Sequence, residues 1–326
     1  MIIDVHNHYY APAYLDALRD QSTAVTVSQD RDGNPVLASP GDINIAVRGH
    51  RDIAFRQDVL DREGVDRQLI TLTAPGTLLE TPEVSARLAR VANEAFAEVM
   101  ATRGDRFTAL ATLPLNDPAA SVRELAWVLA QGFRGCMVFG NVHGIGLHDP
   151  RYWPLLERAS DAGAVFYIHP TFPAGVESMK EYWLMPLVGF LFDTTLAAAG
   201  LVFSGVVERF PGIRWVLGHL GGTIPYLAER LDRGYENFAE CRANLSAPPT
   251  VHLRKFFYDT VNFDPAALKL AVDFAGAGQL LAGSDYPHMI GSIARMKESI
   301  AALDVPDADR ARILGGNTAQ LLGLTA

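Results

Sequence analysis

Five side chains able to bind a metal or move a proton stand at the ends of apolar runs. They are His6 and His8 in "IIDVHNH", His169 in "VFYIHP", His219 in "IRWVLGHLG" and Asp285 in "LLAGSDYP". His6 and His8 are two residues apart, so on an extended strand both imidazoles face one side. A buried imidazole needs a polar partner, and a divalent ion supplies one. By itself the H-x-H pair fits a structural role as well as a functional one. Joined by a third histidine and an aspartate from separate runs, it matches the nitrogen and carboxylate donors of a mononuclear site that keeps an open position. From its own surroundings His219 reads as a core residue, a ligand or a proton carrier; Gly221 and Gly222 after it are expected to let the backbone pass close to a substrate. The other histidines carry less. His50, His148 and His252 fall in loops or at helix starts and are expected in solvent, His143 lies in a glycine-rich loop, and His288, just past Asp285, is close enough to support a ligand.

For these residues to meet, the runs must be strands that open on one mouth. Eight runs, "IIDVHNH", "QLITLTA", "TALATLPL", "GCMVFG", "VFYIHP", "IRWVLGHLG", "FFYDTV" and "LLAGSDYP", are nearly continuous in apolar character, as in strands covered on both faces. Helical patterns separate most of them. Asp117-Pro118, Asp149-Pro150 and Asp264-Pro265 each place a capping acid before a proline at the first helical position, and Gly104, Gly163 and Gly276 stand where a glycine would end a helix. Such alternation implies right-handed crossovers and a parallel sheet. Eight repeats in 326 residues predict an α/β fold, a (β/α)8 TIM barrel forming one domain over residues 1–326; the G-x-G-x-x-G of a dinucleotide fold is absent after the early strands. In such a barrel the C-terminal strand ends share one mouth, which would bring the five side chains together. Between Ala11 and Arg51, "TAVTVSQDRDGNPVLAS" alternates on either side of Asp32-Gly33-Asn34 and predicts a β-hairpin inserted after the first strand, a flap over one mouth. "DADRARILGGNTAQLLGL" supplies closing helices near the C-terminus.

Composition removes several functions. With 28 basic against 37 acidic residues and no cluster of Lys and Arg, the chain is not expected to bind nucleic acid. Cys136 and Cys241 are the only cysteines, too few for a disulfide framework or a thiolate metal site, and point to a reducing, cytoplasmic setting. The N-terminus carries Asp4, His6 and His8 where a signal peptide needs an unbroken apolar segment. The longest apolar stretch, Trp183 to Val207, is broken by Pro186, Asp193, Thr194 and Thr195, and predicts a buried helix rather than a membrane span.

"DVHNH", "YIHP", "GHLGGTIPY" and "GSDYP", in this order, with "FRQDVLDREGV" before the second run and the closing "GNTAQLLGL", resemble the amidohydrolase superfamily. More narrowly they are similar to its decarboxylase branch, which includes aminocarboxymuconate semialdehyde, o-hydroxybenzoate and isoorotate decarboxylases. The resemblance covers almost the whole chain. It implies that His6, His8, His169 and Asp285 bind one divalent ion, usually zinc and in some relatives manganese, with His219 beside it as catalytic acid or base. It implies that Arg56 holds a substrate carboxylate, and that Arg230 reaches into the site of a neighbouring subunit, hence a homodimer. The carboxylated lysine that many binuclear relatives carry at the fourth strand has no counterpart in "GCMVFGN", so a single metal is expected. The implied activity is non-oxidative decarboxylation of an aromatic or unsaturated carboxylic acid, the substrate being a small molecule, with Asp285 or a metal-bound water, relayed by His219, moving the proton. The same groups could activate water against an amide, ester or lactone, or hydrate a double bond; a non-catalytic barrel with a structural metal is the third reading. Tyr9, Phe172, Trp183, Phe190 and Tyr286 are expected to line the mouth.

Overall fold

All eight runs form strands in the computed structural model, which describes residues 1–39 and 42–324. β1 (Ile3–Asp4), β2 (Arg67–Ile70) and β3 (Phe107–Ala109) pair in parallel. So do β4 (Gly135–Phe139), β5 (Val165–His169), β6 (Arg214–Leu217), β7 (Phe257–Asp259) and β8 (Leu280–Leu281). Two seams close the barrel. Ala111 bridges Cys136 between β3 and β4, and Asn7 bridges Tyr286 between the ends of β1 and β8, where Val5 N donates to Ala282 O at 2.8 Å and Asp285 N to His6 O at 2.7 Å. Every residue of β4 and β5 is buried, which is why these runs are apolar throughout instead of alternating.

The barrel interior is a small core of Val5, Leu69, Leu110, Met137, Val165, Tyr167, Val216 and Leu281, joined by Leu321 and Leu322 of the closing helix Asn317–Leu322. Arg214, the first residue of β6, donates to Leu321 O at 2.5 Å, so this helix plugs the N-terminal end and leaves the other end to the polar side chains. Outside, a larger core packs the strands against the helices.

Asp117 and Asp264 cap Pro118–Ala130 and Pro265–Ala275, accepting from Ala120 N at 2.9 Å and Ala266 N at 2.7 Å; Asp149 caps a 3-10 turn, Pro150–Tyr152, that leads into Trp153–Asp161. Gly163 and Gly276 take positive φ, but Gly104 ends Pro82–Arg103 at φ −67°, a conformation open to any residue.

The insertion differs from the expected hairpin. A helix, Pro12–Gln21, precedes three antiparallel strands, Thr26–Gln29, Pro35–Ser39 and Asp42–Ile45, and a short helix, Arg48–Arg51, follows them. The third strand, "DINI", is too short for its alternation to register in sequence; it covers the edge that Pro35–Ser39 would otherwise leave open. The apolar run is also only partly buried. It forms a π-helical turn, Met185–Gly189, and the helix Phe190–Phe203, and fewer than half of these residues are covered (44%). Leu187, Val188, Phe192 and Leu196 face outward. By length and composition alone this helix could cross a membrane; here its other face, with Thr194, Ala198 and Leu201, lies against the barrel.

Candidate metal centre

The barrel brings the five polar side chains to one place. His6 and His8 follow β1, His169 ends β5, His219 follows β6 and Asp285 follows β8. Their ring centroids lie 4.8 to 5.5 Å apart where they neighbour: His6 to His219 4.8 Å, His6 to His8 5.0 Å, His8 to His169 5.0 Å, His169 to His219 5.5 Å. Asp285 Oδ1 stands 3.1 Å from His8 Nε2 and 3.5 Å from His6 Nε2. None of the five is more than 9% exposed.

What aims the nitrogens inward is the partner on the far side of each ring. His6 Nδ1 lies 2.5 Å from Asp259 Oδ2 and His169 Nδ1 2.8 Å from Pro170 O, both pure acceptors, so each Nδ1 must carry the proton. His8 Nδ1 faces Thr71 Oγ1 at 3.4 Å, and that hydroxyl already spends its own proton on Asn7 O at 2.7 Å. His6 and His8 therefore turn Nε2 toward Asp285, and on His169 the proton held at Nδ1 leaves Nε2 as a free lone pair, an arrangement that suits a metal. Burial and neighbouring imidazoles push His8 and His169 well below the ordinary histidine range, which keeps those lone pairs free. His6 is the exception: burial alone would lower it, but Asp259 and Asp285 hold it above that range. His6 Nε2 is buried with no hydrogen-bond partner among the described residues. Donor atoms of His6, His8 and His169 lie within 4.8 Å of one another, as do those of His6, His219 and Asp285. Three imidazole nitrogens, that of His6 unmatched, and one carboxylate fit one divalent ion.

Sequence reading missed Asp259, at the end of β7. It is fully buried and accepts from His6, from Tyr167 Oη at 2.5 Å, and from the backbone N–H of His219 (3.1 Å), Leu220 (3.0 Å) and Val261 (2.9 Å). Burial opposes its ionisation, yet His6, His219 and Tyr167 together hold its carboxyl well below the usual range. The signal was present: "FYDTV" ends the seventh run in an acid, at the position where the other runs end in ligands. Asp259 also fixes the turn after β6, where His219 and Leu220 both take positive φ (51° and 57°). His219 itself is pushed down to about 4 by burial and the nearby His6, and its Nδ1 has no partner among the described residues. Packing by itself requires glycine at Gly221 and Gly222: a Cβ on Gly221 would lie 2.5 Å from the Tyr258 ring, and on Gly222 2.1 Å from Leu191 O.

Arg56 is not open to a substrate carboxylate. It is 0% exposed, and four of its five N–H groups are taken: Nε by Gly49 O at 3.1 Å, Nη1 by Asn7 Oδ1 at 2.6 Å and Gln68 Oε1 at 2.9 Å, and Nη2 by His8 O. Its guanidinium also lies over the rings of Tyr9 and Tyr286. Arg230 is exposed on the helix Ile224–Asn237 and is not part of the cluster within one chain. His50 and His252, expected in solvent, are buried (2% and 8% exposed), while His143 is exposed on a turn and His148 packs against Gly146 and Gly200. His288 adjoins His8, ring centroids 4.8 Å apart. Of the expected aromatic lining, Phe190 reaches the cluster, 6.1 Å from His169, together with the unforeseen Phe139 at 6.3 Å. Tyr9 is buried against Phe96, Tyr286 lies against Arg56, and Trp183 points outward. Phe172 is half-buried, its carbonyl accepting from Asn141.

A family model described as "Amidohydrolase" matches residues 3–324. The chain is 31% identical over 278 residues to the 2-amino-3-carboxymuconate-6-semialdehyde decarboxylase of Dictyostelium discoideum, a match covering 84% of this chain and 77% of that protein. Among solved structures it resembles the 5-carboxyvanillate decarboxylase of Sphingomonas paucimobilis, with a TM-score of 0.87, 27% identity and 99% of both chains covered. It also resembles the dihydroxybenzoic acid decarboxylase of Polaromonas sp., determined with bound manganese and the inhibitor 2-nitroresorcinol, at a TM-score of 0.83, 25% identity and coverage of 99% and 97%. The chain belongs to the amidohydrolase family, in its decarboxylase branch.

Proposed function

We propose that this protein is a metal-dependent, non-oxidative decarboxylase that releases carbon dioxide from an aromatic or unsaturated carboxylic acid, holding one ion through His6, His8, His169 and Asp285. The inward-facing Nε2 atoms beside Asp285, in a chain of this family, carry the reading. An imidazole-rich site with one carboxylate suits zinc, with manganese the competitor that the Polaromonas relative binds. Such an ion, when bound, stabilises negative charge that builds on substrate oxygens.

The chain's own groups must supply the proton and the orientation. In decarboxylation the ring carbon that bears the carboxylate gains a proton; the C–C bond then breaks, its electrons restore the ring, and carbon dioxide leaves. Asp285 is placed to bring that proton, and His219, within 4.8 Å of it, to receive or return it. A neutral His219 suits that exchange better than a permanent cation would. Phe139 and Phe190 flank His169 with apolar surface that suits a flat ring and keeps water away. Arg56 supports the floor instead, bonding His8 O and Asn7 Oδ1 beside the ligands.

Homodimerisation is part of the same reading. Val188, Phe192 and Leu196 repeat every fourth residue along the outer face of the helix, with Trp183 and Leu187 beside them, an apolar stripe suited to a second copy. With Arg56 committed inside its own chain, Arg230 from that copy is our candidate cation for a substrate carboxylate. Phe192→Glu with Leu196→Glu should convert a dimer to a monomer in sedimentation equilibrium and lower activity with it. The two unpaired cysteines fit a cytoplasmic setting.

The test of activity is direct. Elemental analysis of the purified protein should give one divalent ion per chain. The metal-loaded protein should release carbon dioxide from at least one of 2,6-dihydroxybenzoate, 5-carboxyvanillate and 2-amino-3-carboxymuconate semialdehyde, lose this on chelation and regain it with zinc or manganese. No carbon dioxide from any hydroxybenzoate or muconate, alongside turnover of an ester or lactone, would overturn the proposal.

A further inference from the structure

His50 is a buried histidine for which the metal centre has no use. It lies in the short helix Arg48–Arg51 that ends the insertion, 2% exposed, and neither ring nitrogen has a hydrogen-bond partner among the described residues. Gly49 sets its position: a Cβ there would lie 2.4 Å from Tyr286 Oη and 3.0 Å from Pro287 Cβ, so the helix rests on the turn that carries His288. The His50 ring stacks on Tyr10 (5.1 Å, 27°) and meets the His288 ring at 5.0 Å; His288 in turn lies 4.8 Å from His8. His50 is thus one imidazole removed from the metal centre, on the side of the insertion.

Among the described residues no neighbour hydrogen-bonds to it. The Tyr10 hydroxyl donates to Ala74 O, and Arg56 gives its Nε to Gly49 O. Burial, with His288 and Arg56 nearby, pushes His50 well below the ordinary histidine range, so the ring offers one N–H and one lone pair. Buried polar groups left unpaired are destabilising, and native proteins pair nearly all of them. A hydroxyl both donates and accepts and so can meet either nitrogen; a carboxylate only accepts.

We propose that His50, backed by Tyr10 and flanked by His288, forms a subsite that receives a hydroxyl substituent of the aromatic substrate on the insertion side of the metal centre. The substrate class rests on the decarboxylase reading above, but the hydrogen bonding is measurable without turnover. 2-Nitroresorcinol and 2-nitrophenol differ by one ring hydroxyl, and their dissociation constants on the metal-loaded protein can be compared by calorimetry. The wild type should prefer 2-nitroresorcinol by about 10- to 100-fold. His50→Phe should remove that preference while leaving 2-nitrophenol binding and metal content unchanged, and His50→Gln, which keeps a donor and an acceptor, should retain part of it. Equal binding of both ligands by the wild type, an undiminished preference in His50→Phe, equal loss of both ligands, or a fall in metal content would each overturn the subsite. Carbon dioxide release is scored separately: its absence removes the decarboxylase reading, while the hydroxyl preference stands or falls on the binding data.

Discussion

Asp259→Asn separates the buried carboxylate's two tasks, holding His6 and holding the turn that carries His219. Its Oδ2 accepts from His6 Nδ1, Tyr167 Oη and His219 N, and its Oδ1 from Leu220 N and Val261 N. An amide has a single acceptor oxygen. Placed on the Oδ2 side, it leaves the Leu220 and Val261 N–H groups facing an NH2; placed the other way, it strands three donors. Two stranded buried donors at about 1–3 kcal/mol each amount to a loss of about 2–6 kcal/mol, a large part of the about 5–15 kcal/mol that holds a domain folded. In either orientation the anionic acceptor behind His6 is lost, and metal affinity should fall about 10- to 100-fold. Urea unfolding of the metal-free protein measures the first effect, and a metal titration against a competing chelator the second. Tyr167→Phe is the control. It removes one donor but keeps the carboxylate, so stability should drop by about 1.5–3 kcal/mol with metal affinity near wild type. An Asp259→Asn protein that binds metal as the wild type does, or that unfolds within about 0.5 kcal/mol of it, would refute the reasoning.

His219→Asn should keep the metal and lose most of the activity; loss of metal on elemental analysis would make His219 a ligand. Arg56→Met leaves four buried acceptors on and around the first two strands without a donor and should destabilise the fold by about 3–5 kcal/mol, whereas a carboxylate clamp would raise KM at unchanged stability. The metal-free protein should weaken as pH falls. His8, His50, His169 and His219 have folded values below the unfolded one, His219 at about 4, so between about 6.5 and 4 the unfolded chain takes protons that the folded chain refuses. Each can contribute a slope of up to about 1.4 kcal/mol per pH unit over that window. His6, raised by Asp259, works in the opposite sense: its contribution is complete below about 6.5 and is lost as pH rises through its folded value. Urea midpoints that stay flat from pH 7.5 to 4.5 after chelation would contradict this balance.

How far the site was legible follows from what fixes each residue. His6, His8, His169, His219 and Asp285 end strands, and a closed parallel barrel sends every strand end to one mouth whatever the side chains do there. Their convergence therefore needed only the strand count, which continuous apolar runs reveal. Asp259 obeys the same rule, but a single acid inside an apolar run looks the same in sequence as a capping or solvated carboxylate. The third strand of the insertion, Asp42–Ile45, is four residues long, too few for a period of two to stand out.

Arg56 was expected at a substrate carboxylate and His50 in solvent; the structure buries both, for a different reason that bears on how the site is built. An arginine in a helix and a histidine at a helix start are solvent-facing by residue type, and only non-local partners reverse that. Those partners are 7 to 49 residues away for Arg56: Gly49 O, Gln68 Oε1, His8 O and Asn7 Oδ1. No local pattern announces them, since each is an ordinary residue whose acceptor happens to meet the guanidinium after the insertion folds back over β1. The insertion thereby does more than cover the mouth. Gly49 is held by Arg56 on one side and stopped by Tyr286 on the other, so the same contacts that hold His8 from behind also set the position of His50 beside His288. The metal side of the mouth follows from the barrel topology; the side that would read ring substituents depends on this packing.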